Sequence, residues 1–120
     1  MQVADLANVF RTKTMEAGTV LFEQGGTDGD GFIVQVGKVE LSRELGGSVQ
    51  RGIFVGASEI LEVYKTLFEN DARYFTGTVV KKSRITCIPE QVLKDRIAAS
   101  DPLIIYCVRN LLNFGDRLIG

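Results

Sequence analysis

The sequence predicts an α+β fold, mainly β: a curled antiparallel sheet or small barrel that carries a helical tail. Three observations support this. Glycines crowd the first half of the chain and thin out afterwards. Between them, apolar residues alternate with polar ones. After Pro89 the spacing becomes helical.

Of 13 glycines, those at 18, 25, 26, 29, 31, 37, 46, 47, 52 and 56 lie early, and only 77, 115 and 120 follow. They bound short runs: Thr19–Gln24, Phe32–Val36, Lys38–Arg43 and Val49–Val55. Phe32, Val34 and Val36 alternate with Ile33 and Gln35. Val39 and Leu41 alternate with Lys38, Glu40 and Ser42. Period two marks half-buried strands. Leu45-Gly46-Gly47-Ser48 reads as a hairpin turn. From Glu59 to Glu69 the apolar residues at 60, 61, 63, 64, 67 and 68 suit an amphipathic helix. Ser58 stands as its N-cap, and Asn70-Asp71 would close it. On that helix Glu62, Glu69 and Asp71 read as a solvated face. Tyr74–Val80 and Arg84–Ile88 read as two further strands, with Lys81-Lys82 as an exposed turn. Pro89 opens a helix with Val92, Leu93, Ile97 and Ala98 on its inner face. Ser100-Asp101-Pro102 starts the last helix, which runs to near Gly120. The chain thus reads as a single domain over 1–120, with the sheet or barrel at about 12–88 and helices at about 90–99 and 102–119.

Composition narrows the function. With 120 residues there is room for one core. The charge is −1, from 14 basic and 15 acidic residues, and this disfavours nucleic-acid contact. No apolar run is long enough to span a membrane. Cys87 and Cys107 form no CxxC motif and no disulfide framework. Both read as packed, and a reduced, cytoplasmic setting fits. There is no histidine. That removes Ser-His-Asp and Cys-His catalysis and every histidine metal site, so the chain does not read as an enzyme.

Several segments then resemble one family. Gly18-Thr-Val-Leu21-Phe22-Glu-Gln-Gly25 and Phe32-Ile33-Val34-Gln-Val-Gly37-Lys-Val39-Glu-Leu41 look like the strands of the cyclic nucleotide-binding domain family. Ser42–Gly47 is similar to its next hairpin. Gly52-Ile-Phe-Val-Gly56 resembles the Gly-x-Phe-Phe-Gly entrance to its phosphate-binding cassette, and Arg73-Tyr-Phe-Thr76 its Arg-x-Ala-Thr exit. Lys82-Ser83-Arg84 stands where the family has Asp-Ser before the last strand. Ile88-Pro89 and Asp101-Pro102 match its two closing helix starts. The resemblance implies an antiparallel, eight-stranded, jelly-roll-like β-barrel. A short N-terminal helix, a cassette helix and two C-terminal helices would accompany it. The ligand it implies is cyclic AMP or cyclic GMP, with no other cofactor and no metal.

The candidate binding residues are Gly56, Ala57, Ser58, Glu59, Arg73, Tyr74, Phe75 and Thr76. Gly56-Ala57-Ser58 at a helix N-terminus would offer free amides to an anion. Arg73 would pair with a phosphate and Thr76 add a hydroxyl. A plainer reading keeps Ser58 as a cap and Arg73 as a solvated surface residue. The sequence departs from the family at Ala57, where a ribose-binding glutamate is expected, and at Tyr74 and Phe75, where small residues are expected. Two functions follow from this pattern. One is a regulatory, ligand-sensing domain that relays to its C-terminal helix. The other is a degenerate domain of the same fold that binds no nucleotide and serves dimerisation or docking. From Leu103 onward apolar residues occupy more than one helical face, which predicts a homodimer through residues 102–119.

Overall fold

The computed structural model describes residues 2–63 and 72–119. Helix α1 (Val3–Val9) precedes strands β1 (Arg11–Met15), β2 (Val20–Phe22), β3 (Gly31–Leu45), β4 (Ser48–Val55), β5 (Ile60–Leu61) and β6 (Thr76–Ile88). Helices α2 (Glu90–Ala99) and α3 (Pro102–Ile119) follow. All strand pairs are antiparallel. The fold is therefore mainly β with helices at both ends.

Two long strands form its spine. β3 and β6 pair along most of their length, from Gly31↔Ile88 to Ser42↔Thr76. β1 and β2 line the outer edge of β6, while β4 and β5 line the outer edge of β3. Among the described residues six strands form one sheet whose path runs from β1 to β4 without closing. The expected barrel is thus an open, curled sheet.

The runs Phe32–Val36 and Lys38–Arg43 belong to one strand, not two. Gly37 supplies the bend. Its φ is +121°, and a Cβ there would drive into the Ser83 side chain. Ser83 Oγ accepts from Lys38 N at 3.1 Å and donates to Lys81 O at 2.7 Å, so the corner is pinned from β6. The register shifts on either side of Val36 turn that residue outward. Val36 is consequently exposed, where simple alternation set it with Phe32 and Val34. Lys81 and Lys82 are exposed, but they lie within β6 rather than in a turn.

The hairpin reading holds. Leu45 pairs with Ser48, and Gly46 and Gly47 have φ of 57° and 84°. A two-residue turn with both φ positive matches the twist of the flanking strands. Phe22, Phe32, Val34, Val39, Val79 and Ile85 are the centre of the core. Each such burial stabilises by about 1.5–3 kcal/mol.

Residues 59–63 are not helical. Ile60 and Leu61 form β5 opposite Ile33 and Phe32, with Leu61 buried and Ile60 exposed. That is period two, where the expected helix counted 60 and 61 as the first of six apolar positions at helical spacing. The rest of the expected cassette helix, residues 64–71, lies outside the described residues.

α2 packs loosely. Val92, Leu93 and Ile97 are half-buried and Ala98 is exposed. Asp30 holds its start, with Oδ1 accepting from Glu90 N at 2.9 Å. Asp101 caps α3, its Oδ1 accepting from Leu103 N at 2.8 Å. Along α3, Leu103, Ile104, Tyr106, Val108 and Leu111 are exposed. Cys107 is exposed too, not packed. Side chains of residues 112–119 lie outside those described.

Candidate functional site

Arg73 sits where the chain enters β6, and the β2–β3 loop fixes its backbone. Gly25 N donates to Arg73 O at 2.9 Å, and Arg73 N donates to Gly26 O at 2.8 Å. The side chain then turns inward and is 0% exposed. Its guanidinium lies 5.1 Å from the Phe22 ring centroid and 5.7 Å from that of Phe32. A cation withdrawn from water needs opposite charge and hydrogen bonds. Arg73 Nη2 donates to Asp28 Oδ2 at 2.7 Å, and Nη1 donates to Glu62 Oε2 at 3.4 Å. Arg73 Nε is buried and has no partner.

One guanidinium faces two carboxylates, so the cluster is net negative when both are ionised. Glu62 is the enclosed member. Burial pushes its carboxyl above its ordinary value, against the opposing pull of Arg73. Arg73 is therefore not the solvated residue of the plainer sequence reading, and Glu62 is not on a solvated face. Asp28 lies 45 residues from Arg73 in sequence and Glu62 lies 11, and nothing local in the sequence marks either as its partner.

Gly56–Glu59 is a turn between β4 and β5, and it is anchored elsewhere. Ser58 has φ of 73° and is not a helix cap. Its N donates to Val34 O at 2.7 Å. Glu59 N donates to Gly56 O at 3.2 Å, and Gly56 N donates to the Glu59 carboxylate at 3.3 Å. These amides are committed within the protein, one of them to a carboxylate. Ala57 is exposed at the tip. The segment Gly52–Gly56 that resembled a cassette entrance runs along β4 into this turn.

The residues after Arg73 meet the β2–β3 loop and β3. Thr76 Oγ1 accepts from Gln24 N at 3.0 Å. Phe75 packs against the core, and Tyr74 meets it edge-on at 5.0 Å. Arg43 of β3 lies 3.4 Å over the Tyr74 ring. Beside them a cleft of about 630 Å³ is lined by Thr76, Gly25, Ser42, Arg43 and Val49, among others. The structure thus groups 73–76 with the 24–28 loop, and it ties 56–59 to Val34.

An EAL enzyme solved in a cAMP-bound form is similar in structure, with a TM-score of 0.75 and 16% identity over 91% of this chain. This chain spans only 29% of that one. The Thermus thermophilus catabolite activator protein has a TM-score of 0.72 and 22% identity, covering 98% of this chain and 55% of its own. A putative cAMP-binding regulatory protein from Silicibacter pomeroyi has a TM-score of 0.72 and 18% identity, covering 96% and 53%. The chain has the fold of the cyclic nucleotide-binding domains. No family model matches it, and no curated protein matches it in sequence. The cyclic nucleotide-binding fold is thus carried here by a sequence far from its structural neighbours. Among the described residues no helix is long and apolar enough to cross a membrane.

Proposed function

We propose that this chain is a non-catalytic regulatory domain of the cyclic nucleotide-binding fold that acts through protein assembly and takes no nucleotide in its wild-type form. One observation carries the reading. Arg73, the residue expected to hold a phosphate, is wholly buried and already paired with Asp28 and Glu62. An incoming phosphate would have to displace a carboxylate and enter a net negative cluster. With Ala57 in place of a glutamate, a ribose hydroxyl would also lack its acceptor, at a cost of about 1–3 kcal/mol.

The output we assign is a homodimer through residues 102–119. Ile104, Val108 and Leu111 recur at helical spacing and are exposed, with Leu103 and Tyr106 beside them. A stripe of this kind suits an interface. The β2–β3 loop offers a route for coupling, because Asp28 holds Arg73 while Asp30 holds the start of α2. In this role the domain works in the cytoplasm, without metal or cofactor and without nucleic-acid contact of its own.

Nucleotide sensing is the second reading. It is favoured by the cleft beside Thr76 and by neighbours described as cAMP-bound or cAMP-binding. It would use Gly56–Glu59 and Arg73–Thr76 to bind cyclic AMP or cyclic GMP. Titration calorimetry decides between the two. The first reading expects no binding of either nucleotide at millimolar concentration, and micromolar binding overturns it. Sedimentation is expected to show a dimer at micromolar concentration, shifted to monomer by Leu111→Glu. A 13.2 kDa monomer at high concentration would refute the assembly role.

A further inference from the structure

Glu62 combines two unusual properties. Its φ is 64°, in the left-handed region that side chains with a Cβ rarely adopt. Glycine would enter that region without steric penalty. The side chain held there is a carboxylate only 7% exposed, and such groups are seldom buried unless paired. Backbone preference and solvation preference are thus both overridden at one residue. The compensating contact is Arg73 Nη1. β5 sets the position, because Leu61 pairs with Phe32, whose ring lies beside the guanidinium.

We propose that Glu62 is a built-in ligand of Arg73, occupying from within the chain the place of an external phosphate and covering a latent anion site. This rests on the reading above, in which the wild-type chain takes no nucleotide.

Geometry separates the two carboxylates. Asp28 holds Nη2 at 2.7 Å, a full charge-assisted contact, although its own side chain is 60% exposed. Glu62 is far more enclosed, yet it sits at 3.4 Å. Charge-assisted N–H···O contacts are shorter, about 2.7–2.9 Å. Glu62 is therefore the displaceable partner. Removing its charge turns the cluster from net negative to neutral. It also frees Nη1 on a guanidinium whose Nε already lacks a partner. A phosphate ester has oxygens for both donors. The neighbouring cleft is lined by Gly25, whose N donates to Arg73 O, and by Thr76, three residues further on; it adjoins the Arg73 backbone and not the guanidinium, so the site proposed is for the anion alone.

The test compares the wild-type chain with Glu62→Gly and Glu62→Gln by titration calorimetry. The probes are cyclic AMP, cyclic GMP and inorganic phosphate, and thermal melting checks the fold. Glu62→Gly removes the charge and relieves the backbone, so it is expected to bind at least one probe tenfold or more tighter than wild type. Glu62→Gln keeps the shape and gains less. Adding Arg73→Lys to Glu62→Gly should remove the gain. Gain for inorganic phosphate alone supports the latent site and limits its ligand to a small anion. Gain for a cyclic nucleotide supports it with room for the nucleoside. No gain in either folded variant overturns the proposal and leaves the assembly reading standing. If Glu62→Gly fails to fold, the isosteric Glu62→Gln decides alone. Nucleotide binding by wild type overturns the assembly reading. It overturns the built-in ligand as well only if Glu62→Gly binds no tighter.

Discussion

Arg73 and Arg43 are the same side chain in opposite situations. Each has a buried Nε without a partner, and each lies against at least one aromatic ring. Arg73 is enclosed by Phe22 and Phe32 and bound to two carboxylates. Arg43 is half-buried, rests on an exposed tyrosine and lines the cleft. An arginine in a suggestive motif indicates an anion site only when its charge is uncommitted. Arg73 carries the motif and is committed. Arg43 lies in the hairpin segment, outside the expected phosphate site, and lines the open cleft.

The sharpest break between the two is stability. Arg73→Ala leaves Glu62 as a buried carboxylate without its cation. Breaking a buried pair from one side costs about 3–5 kcal/mol, a large share of the roughly 5–15 kcal/mol that holds a domain of this kind. Urea denaturation should show that loss, and adding Glu62→Gln should restore part of it, since no unpaired charge then remains. A loss under about 1 kcal/mol would mean that Arg73 is a solvated surface residue after all.

A second test uses the proton on Glu62. Its carboxyl is raised in the folded chain, chiefly by burial, while Arg73 pulls the other way and Asp28 adds a smaller push upward. The native state therefore favours the protonated form more than the unfolded state does. Stability from this group is full below its ordinary value of 4.5 and is lost as pH rises through the higher folded value. Glu62→Gln cannot titrate. Measured by denaturation at about pH 4 and about pH 7, the difference between the two proteins should move against wild type as pH rises. Movement in the other direction would show that the ion pair with Arg73 outweighs burial.

The two regions were also unequally legible in the sequence. Gly46-Gly47, Asp101-Pro102 and the alternation of Val39 with Leu41 each announce their structure locally, through turn chemistry, capping or period two. Gly37 also gave a signal, since a glycine inside a strand pattern marks a bulge as readily as a break. Read as a break it divides β3 in two; in the structure it is a bend within one strand. The Arg73 cluster gave no such signal. It joins residues 28, 62 and 73, from a loop, a turn after a two-residue strand and the entry to β6. The pairing of β5 with β3 sets Glu62 beside the guanidinium. A glutamate with positive φ has no local signature, and the apolar residues at 60, 61, 63, 64, 67 and 68 have helical spacing. The family resemblance drew attention to Arg73 itself but could not show what already held it.

The smallest effect belongs to Arg43. Its guanidinium is 3.4 Å above the Tyr74 ring, and Tyr74 is 49% exposed. A cation over an aromatic face in contact with water is worth about 0.5–1 kcal/mol. Removing the side chain forfeits that attraction and also removes a buried Nε that had no partner, and the two effects oppose each other. Arg43→Ala should therefore change stability by less than about 1 kcal/mol. A double-mutant cycle with Tyr74→Ala should return a coupling of about 0.5–1 kcal/mol, independent of Glu62→Gln. If Arg43→Ala destabilised the chain as strongly as Arg73→Ala, the cleft wall would be part of the same locked network. The distinction between a committed and an uncommitted arginine would then fail.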